Sequence, residues 1–265
     1  MSASSKPEPL LEVKGASKTF RSRRGMGAAH AVIDASLEAR PGQFVAIVGE
    51  SGSGKSTLAR MILGLTPVTT GSIELGGVDL TAMNRAQRWE YRRAVQAVLQ
   101  DPAGSLNPRK TVRRALEEIV RLHHVAAGSS ARAGAVSEAL ELVGLSPPDA
   151  FLDRFPHELS GGQRQRVLIA RAVVLNPRII VADEAVSALD ASVKAGILRV
   201  MMSLKERLDV GYLFITHDLP VVKKVADYVY VMKLGRVVEH GSKEQIFADP
   251  SHPYTRTLLA ASPIL

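Results

Sequence analysis

The sequence predicts an α/β fold: a parallel-sheet core interrupted by a helical insertion, with antiparallel β near the N-terminus. Three observations predict it. Residues 43–48 (QFVAIV), 178–182 (RIIVA) and 212–216 (YLFIT) are short apolar runs, the pattern of strands buried on both faces, as in a parallel sheet. A glycine-rich stretch from Gly49 to Thr57 joins the first run to a helical pattern. From about residue 84 to residue 175 the β pattern gives way mostly to helix, and then it returns.

The elements follow in chain order. Residues 10–13 form a short strand, a polar loop with Gly25 and Gly27 comes next, and residues 31–37 form a second strand. After strand 43–48, residues 56–65 form a helix with Leu58, Met61, Ile62 and Leu65 on one face. Residues 71–76 (GSIELG) alternate like a half-buried strand. Asn84 caps a helix to Arg93, and 95–99 is a short strand. Residues 99–112 (LQDPAGSLNPRKTV) carry two prolines and a glycine, so they form neither one helix nor one central strand. Amphipathic helices over 111–123 and 131–143 follow, and Ser160 opens another to Leu175. A helix over 190–208 connects strands 178–182 and 212–216. Strands near 228–232 and 236–239 and two short helices complete the chain, which shows no internal repeat.

A chain of 265 residues with 46% hydrophobic and 23% charged residues suits one large domain or two small ones with a substantial core. It has no run of about 18 apolar residues, so no membrane span is expected. The opening MSASSKPEPL lacks the apolar core of a signal peptide and reads as a flexible tail. The chain has no cysteine, which excludes disulfides, iron–sulfur clusters and zinc–thiolate sites; with the missing signal peptide this points to the cytoplasm. The net charge of +8 suits nucleic acid, an anionic membrane, anionic small ligands, or simply a basic soluble surface. The densest basic cluster (Arg21, Arg23, Arg24) contains no aromatic to stack a base, which argues against a dedicated single-strand binding face.

Gly49, Glu50, Ser51, Gly52, Ser53, Gly54, Lys55, Ser56 and Thr57 match G-x-x-x-x-G-K-[ST] in the required context, after a strand and before a helix. Glycines let backbone N–H groups turn inward around phosphate oxygens, and the helix N-terminus adds positive potential. Lys55 then reaches the β- and γ-phosphates, and the Ser56 hydroxyl ligates Mg²⁺. Such a site needs a carboxylate at the end of a neighbouring strand. The run IIVADE supplies Asp183 to hold Mg²⁺ and Glu184 to polarise an attacking water. A helix N-cap is the plain alternative for either acid taken alone.

Leu159-Ser160-Gly161-Gly162-Gln163, read on as LSGGQRQR, resembles the signature of ABC-type ATPases, and its order between the phosphate loop and Asp183 sharpens the resemblance. The remaining family motifs fall along almost the whole chain. Gln100 matches the Q-loop glutamine that contacts Mg²⁺ and γ-phosphate, Asp190 in SALD matches the D-loop, and His217 in ITHD matches the switch histidine. Phe20 in SKTF fits the aromatic that stacks adenine and fits a core position equally. The resemblance implies an ABC-type fold: a RecA-like core, an N-terminal antiparallel β subdomain and an inserted helical subdomain. The whole of 1–265 would be one nucleotide-binding domain, with about 1–100 and 176–265 as core and β subdomain and about 101–175 as helical subdomain. It implies ATP and Mg²⁺ as ligands and head-to-tail closure of two domains, with Ser160, Gly161, Gly162 and Gln163 facing the partner's ATP. The family commonly has Pro after the catalytic Glu, and this chain has Ala185; since that proline would stiffen a turn, activity is expected to survive.

The repair and chromosome members of this class carry long coiled coils, and no sustained heptads occur here. The translation factors hold two ATPase domains in one chain. A lone domain is similar to the ATPase subunit of a transporter with separate membrane proteins. QDPAGSLNPRKTV resembles the QDPxxSLNPRxTV pattern of the peptide/nickel importer ATPases, and HPYTR followed by LL and ASP (252–263) resembles that group's ending. The resemblance is to the subunit without an iron–sulfur extension. It implies a heterodimer with a second ATPase subunit, two transmembrane permease subunits and, indirectly, an extracytoplasmic substrate-binding protein. It also implies a peripheral location on the cytoplasmic face of the bacterial inner membrane and no nucleic-acid partner. NRAQR (84–88), NPRKT and DEAV resemble the nickel branch, while the ending and SALD resemble the peptide branch. Peptide cargo is the leading reading, nickel or a metal chelate the alternative. A soluble ABC ATPase acting on nucleic acid and a small-molecule kinase are the competing classes.

Overall fold

Chain order, traced in a computed structural model, begins with two long paired strands, β1 (Leu11–Arg21) and β2 (Ala28–Ala39). The structure describes residues 10–21, 28–99, 102–187 and 189–262. β1 and β2 run well beyond the expected 10–13 and 31–37. Their register slips between Val13 and Ala16 and again near Lys18, and these irregularities blur the period-two pattern that marks a strand. Gly15, with φ +55°, sits within the first slip. The tail at 1–9 and the glycine loop near Gly25 and Gly27 lie outside the described residues.

The chain divides into two compact units, 1–91 with 211–265, and 92–210. In the first, β1 lies between β2 and β4 (Thr70–Leu75), and β5 (Val78–Asp79) pairs with β4, all antiparallel. This is the antiparallel β subdomain. Between β2 and β4 come β3 (Phe44–Val48) and helix α1 (Lys55–Ile62). Asn84 caps α2 (Arg85–Ala94) reciprocally: its Oδ1 accepts from Gln87 N (2.9 Å), and its N–H donates to Gln87 Oε1 (2.9 Å).

The second unit opens with β6 (Val95–Leu99), parallel to β7 (Ile179–Asp183). Between them lie the helices: α3 (Pro102–Ser105), α4 (Val112–Leu122), α5 (Ser129–Leu142), α6 (Asp149–Leu152) and α7 (Gly161–Val173). Thr111 caps α4. Leu116 and Val120 of α4, Val136 and Leu140 of α5, and Val167 and Ile169 of α7 are buried, as are the strand residues Ile179 to Ala182. Arg171 of α7 donates to the Ser105 carbonyl (2.7 Å), holding the loop after β6 to the helix; burial pushes this guanidinium's pKa down. Helix α8 (Ala191–Leu208) completes the unit.

The first unit resumes with β8 (Gly211–Ile215), α9 (Leu219–Val225), β9 (Tyr228–Lys233), β10 (Arg236–Ser242), α10 (Lys243–Ala248) and α11 (Pro253–Ala260). β3 runs parallel between β8 and β9, and β10 returns antiparallel on β9. All five residues of β3 and of β8 are buried, which explains their unbroken apolar sequence. Phe44 stacks on Tyr212 at 4.9 Å within this core. Ala46 and Val48 of β3 pack with Val222, Val229, Val231, Ile246 and Tyr254, so α9 to α11 share the core of the strand that leads into Gly49.

Candidate functional site

The glycine loop leaves the C-terminal end of β3, where parallel strands open their ligand crevice. Two of its glycines answer to close backbone approach. A Cβ on Gly49 (φ +147°) would collide with the Met232 carbonyl of β9, and one on Gly54 (φ +102°) with the Ala31 carbonyl of β2. Gly54 is the N-cap of α1 in the left-handed region, so the loop turns directly into the helix. Lys55 is only 6% exposed. Its ammonium donates to the Gly49 carbonyl (2.7 Å), the Glu50 carbonyl (2.7 Å) and Ser53 Oγ (3.2 Å). The loop thus curls around its own cation, which places a positive charge at the start of α1.

Three ties brace the loop from the C-terminal segment. Gly235 N donates to the Ser53 carbonyl (2.9 Å), while Ile33 N of β2 donates to the Gly235 carbonyl (2.8 Å). The Met232 carbonyl closes over Gly49. The Glu50 N–H donates to the Tyr254 hydroxyl (3.1 Å). Sequence reading does not reveal these partners. HPYTR is visible as a motif, but nothing local points from it to Glu50.

His217 follows β8, whose register sets Ile215 beside Ile47 of β3. Thr216 N donates to the Ile47 carbonyl (3.3 Å), so the chain carrying His217 and the chain entering the glycine loop leave neighbouring strands at the same end. His217 is exposed, and the next residue, Asp218, caps α9. Phe20, near the end of β1, is 46% exposed, with the Lys18 ammonium 5.2 Å from its ring centroid.

The other predicted residues belong to the second unit. Asp183 ends β7, and Glu184 follows with φ +49°, a left-handed conformation uncommon for a residue with a side chain. Its carbonyl accepts from both Ser187 N (3.1 Å) and Ser187 Oγ (2.9 Å), which closes the turn. Ala185 and Val186 are buried beneath it, at 2% and 1% exposure. Gln100 lies outside the described residues, but its neighbour Leu99 is the register partner of Asp183.

Ser160 caps α7 in a reciprocal box: its Oγ accepts from Gln163 N (3.2 Å), and Gln163 Oε1 accepts from Ser160 N (2.9 Å). Asp190 caps α8, accepting from Val193 N (3.0 Å) and Ser192 Oγ (2.8 Å). The Val193 amide is the main reason its carboxyl lies below the usual range. The two helix starts touch, since Gly162 faces Val193 and Gly161 faces Leu189.

Chemically, the loop, Lys55 and the N-terminus of α1 fit an oligophosphate. The Ser56 hydroxyl and the Asp183 carboxylate are hard oxygen donors, of the kind Mg²⁺ takes alongside phosphate and water. Among the described residues, no helix is long and apolar enough to cross a membrane.

Comparison with known proteins agrees with this chemistry. A family model described as ABC transporter matches residues 32–187. Over 262 residues, 97% of the chain, the sequence is 44% identical to the glutathione import ATP-binding protein GsiA of Salmonella paratyphi A and 43% identical to that of Escherichia coli K12. The chain spans 42% of the length of these relatives. The fold is similar to the dimeric, post-hydrolysis structure of the ATP-binding cassette MJ0796 bound to ADP and Pi, with TM-score 0.76 and 29% identity over 88% of this chain and 98% of that one. It is also similar to cbiO1 of Clostridium perfringens, part of the ABC transporter complex cbiONQ, with TM-score 0.77 and 26% identity over 91% of both chains.

Proposed function

Since this chain belongs to the ABC transporter family and is an ABC-type ATPase, we propose that it binds and hydrolyses ATP to power import of di- and oligopeptides across the bacterial inner membrane. One observation carries the reading: a glycine loop curled around buried Lys55, in a chain 44% identical to glutathione import ATP-binding proteins. Glutathione is itself a short peptide, which supports peptide over nickel or metal chelate. In this reading 1–265 works as one nucleotide-binding domain, with about 101–175 as its helical subdomain.

Lys55 and the amides of Gly54 to Thr57, framed by the rest of the Gly49–Thr57 loop, hold the β- and γ-phosphates at the start of α1. Phe20 offers its exposed ring to adenine. Ser56, Asp183 and Gln100 would hold Mg²⁺, which would supply neutralising charge for the transferring phosphoryl group. Glu184 takes the proton of the attacking water as its oxygen bonds to the γ-phosphorus. The bond to the β–γ bridging oxygen breaks, and ADP and phosphate result. His217 donates a hydrogen bond to the γ-phosphate and steadies it. Ser160, Gly161, Gly162 and Gln163 present a hydroxyl and a helix N-terminus to the ATP of a second cassette, with Asp190 shaping the same edge. ATP therefore favours the closed pair and hydrolysis releases it.

The partners in this reading are two transmembrane permease subunits, a second ATPase subunit as heterodimer and, indirectly, an extracytoplasmic binding protein, with no nucleic acid. The subunit sits on the cytoplasmic face of the membrane. Purification from its own cells tests this. Two membrane subunits should co-purify, and the associated binding protein should take peptides in a direct binding assay. Binding of nickel without peptides would move the cargo to the metal branch. ATPase stimulation by DNA, with no membrane partner, would sink the transport reading.

A further inference from the structure

The sequence reads HPYTR as a family ending, and the matched family model stops before it, at residue 187. The structure joins it to the glycine loop. Helix α11 is fixed at its start by several bonds. The Glu239 carboxylate accepts from Ser251 N (2.6 Å) and His252 N (3.1 Å), His252 Nδ1 accepts from Tyr254 N (3.1 Å), and Arg256 donates to the carbonyls of Pro250 (2.9 Å) and Ser251 (3.0 Å). Its Tyr254 packs in the core beside Ala46 and Val48, so the ring is held by the strand that enters the loop.

From that position Tyr254 reaches two groups. Its hydroxyl accepts the Glu50 N–H at 3.1 Å, and the Lys233 ammonium lies 4.5 Å from its ring centroid. Lys233 directly follows Met232, whose carbonyl closes over Gly49. The contacts form a circuit: Gly49 against Met232, Lys233 against Tyr254, and Tyr254 against Glu50. Burial raises the phenol's pKa and the Glu50 carboxylate adds to the rise, so the hydroxyl stays protonated at neutral pH.

We propose that Tyr254 is a positioning residue of the phosphate loop: with Lys233 it fixes the Glu50 peptide, so that docking of α11 sets the loop in its phosphate-binding shape. The proposal rests on the reading of Gly49–Thr57 as the phosphate loop. The consequence follows from population arithmetic. A loop that spends less time in the competent shape binds with proportionally lower apparent affinity.

The test is ATP titration of the full chain by calorimetry, together with steady-state hydrolysis. Tyr254→Phe keeps the ring over Lys233 and deletes only the hydroxyl. It should bind ATP roughly three- to tenfold more weakly, the range set by one hydrogen bond. KM for ATP should rise with little change in kcat, and the melting temperature without nucleotide should hardly move. Lys233→Met, which keeps the aliphatic stem, should weaken ATP in the same direction. Unchanged ATP affinity in both variants overturns the proposal, as does a lowered melting temperature with affinity intact. Lys55→Ala separates the two readings. If it binds ATP as well as wild type, the phosphate-loop assignment itself fails. If it loses ATP while Tyr254→Phe and Lys233→Met do not, only the positioning role falls.

Discussion

A Cβ built on Gly162 lies 2.6 Å from Val193 Cγ1, so the start of the signature helix meets the start of the helix after Asp190 with no room for a methyl group. Valine is stiff at χ1 and cannot swing clear. Gly162→Ala should therefore cost about 1–3 kcal/mol through overpacking and displace the two helix starts. We expect ATPase turnover to fall at least tenfold, and Gly162→Ala/Val193→Ala to recover most of it. A double variant as slow as the single one would show that the contact is not what excludes a side chain at position 162.

Glu184→Gln preserves shape and hydrogen-bonding capacity but removes the base. It should bind ATP as wild type does, turn over at least about a hundredfold more slowly, and accumulate closed dimers on size exclusion with ATP. Turnover near the wild-type rate would remove Glu184 from the base role.

Lys55→Ala deletes a cation held by three loop oxygens. ATP affinity should fall at least tenfold, since the lost bonds are charge-assisted. Equilibrium binding of a fluorescent ATP analogue reads this directly, and retention of affinity would contradict the assigned contact.

Acid should act on the start of α11 through Glu239. Burial alone would raise this carboxyl, but the amides of Ser251 and His252 outweigh it and hold it below the usual range. A depressed folded pKa means stability that is present above the unfolded value of about 4.3 and lost as pH falls through the folded one. Between pH 5 and 3, wild type should lose more stability in urea melts than Glu239→Gln does. Parallel pH curves for the two would exclude this carboxylate as a source of acid lability.

What could be read in advance was what is local. The glycine loop, the cap at Asn84, the cap at Ser160 and the apolar strands β3, β7 and β8 each carry their reason within a few residues, and the structure has them. The sequence marks only the first residues of β1, because polar residues and register slips hide a strand that pairing on both sides sustains. The braces on the glycine loop were not readable at all. They are a carbonyl of Met232, an amide of Gly235 and a hydroxyl of Tyr254, and two of the three are backbone groups that every residue type offers. Only the folded sheet, with β9 next to β3, decides which ones arrive.

The tie between Glu50 and Tyr254 spans 204 positions of chain. At a ribosomal pace of about 5–20 residues per second, the glycine loop leaves the ribosome roughly 10 to 40 s before its last brace is made. One contact of the glycine loop is thus made late, although the loop is encoded among the first residues. A nascent chain that has not yet made Tyr254 carries the complete motif without this brace, and should hold ATP more weakly than a chain with α11 in place.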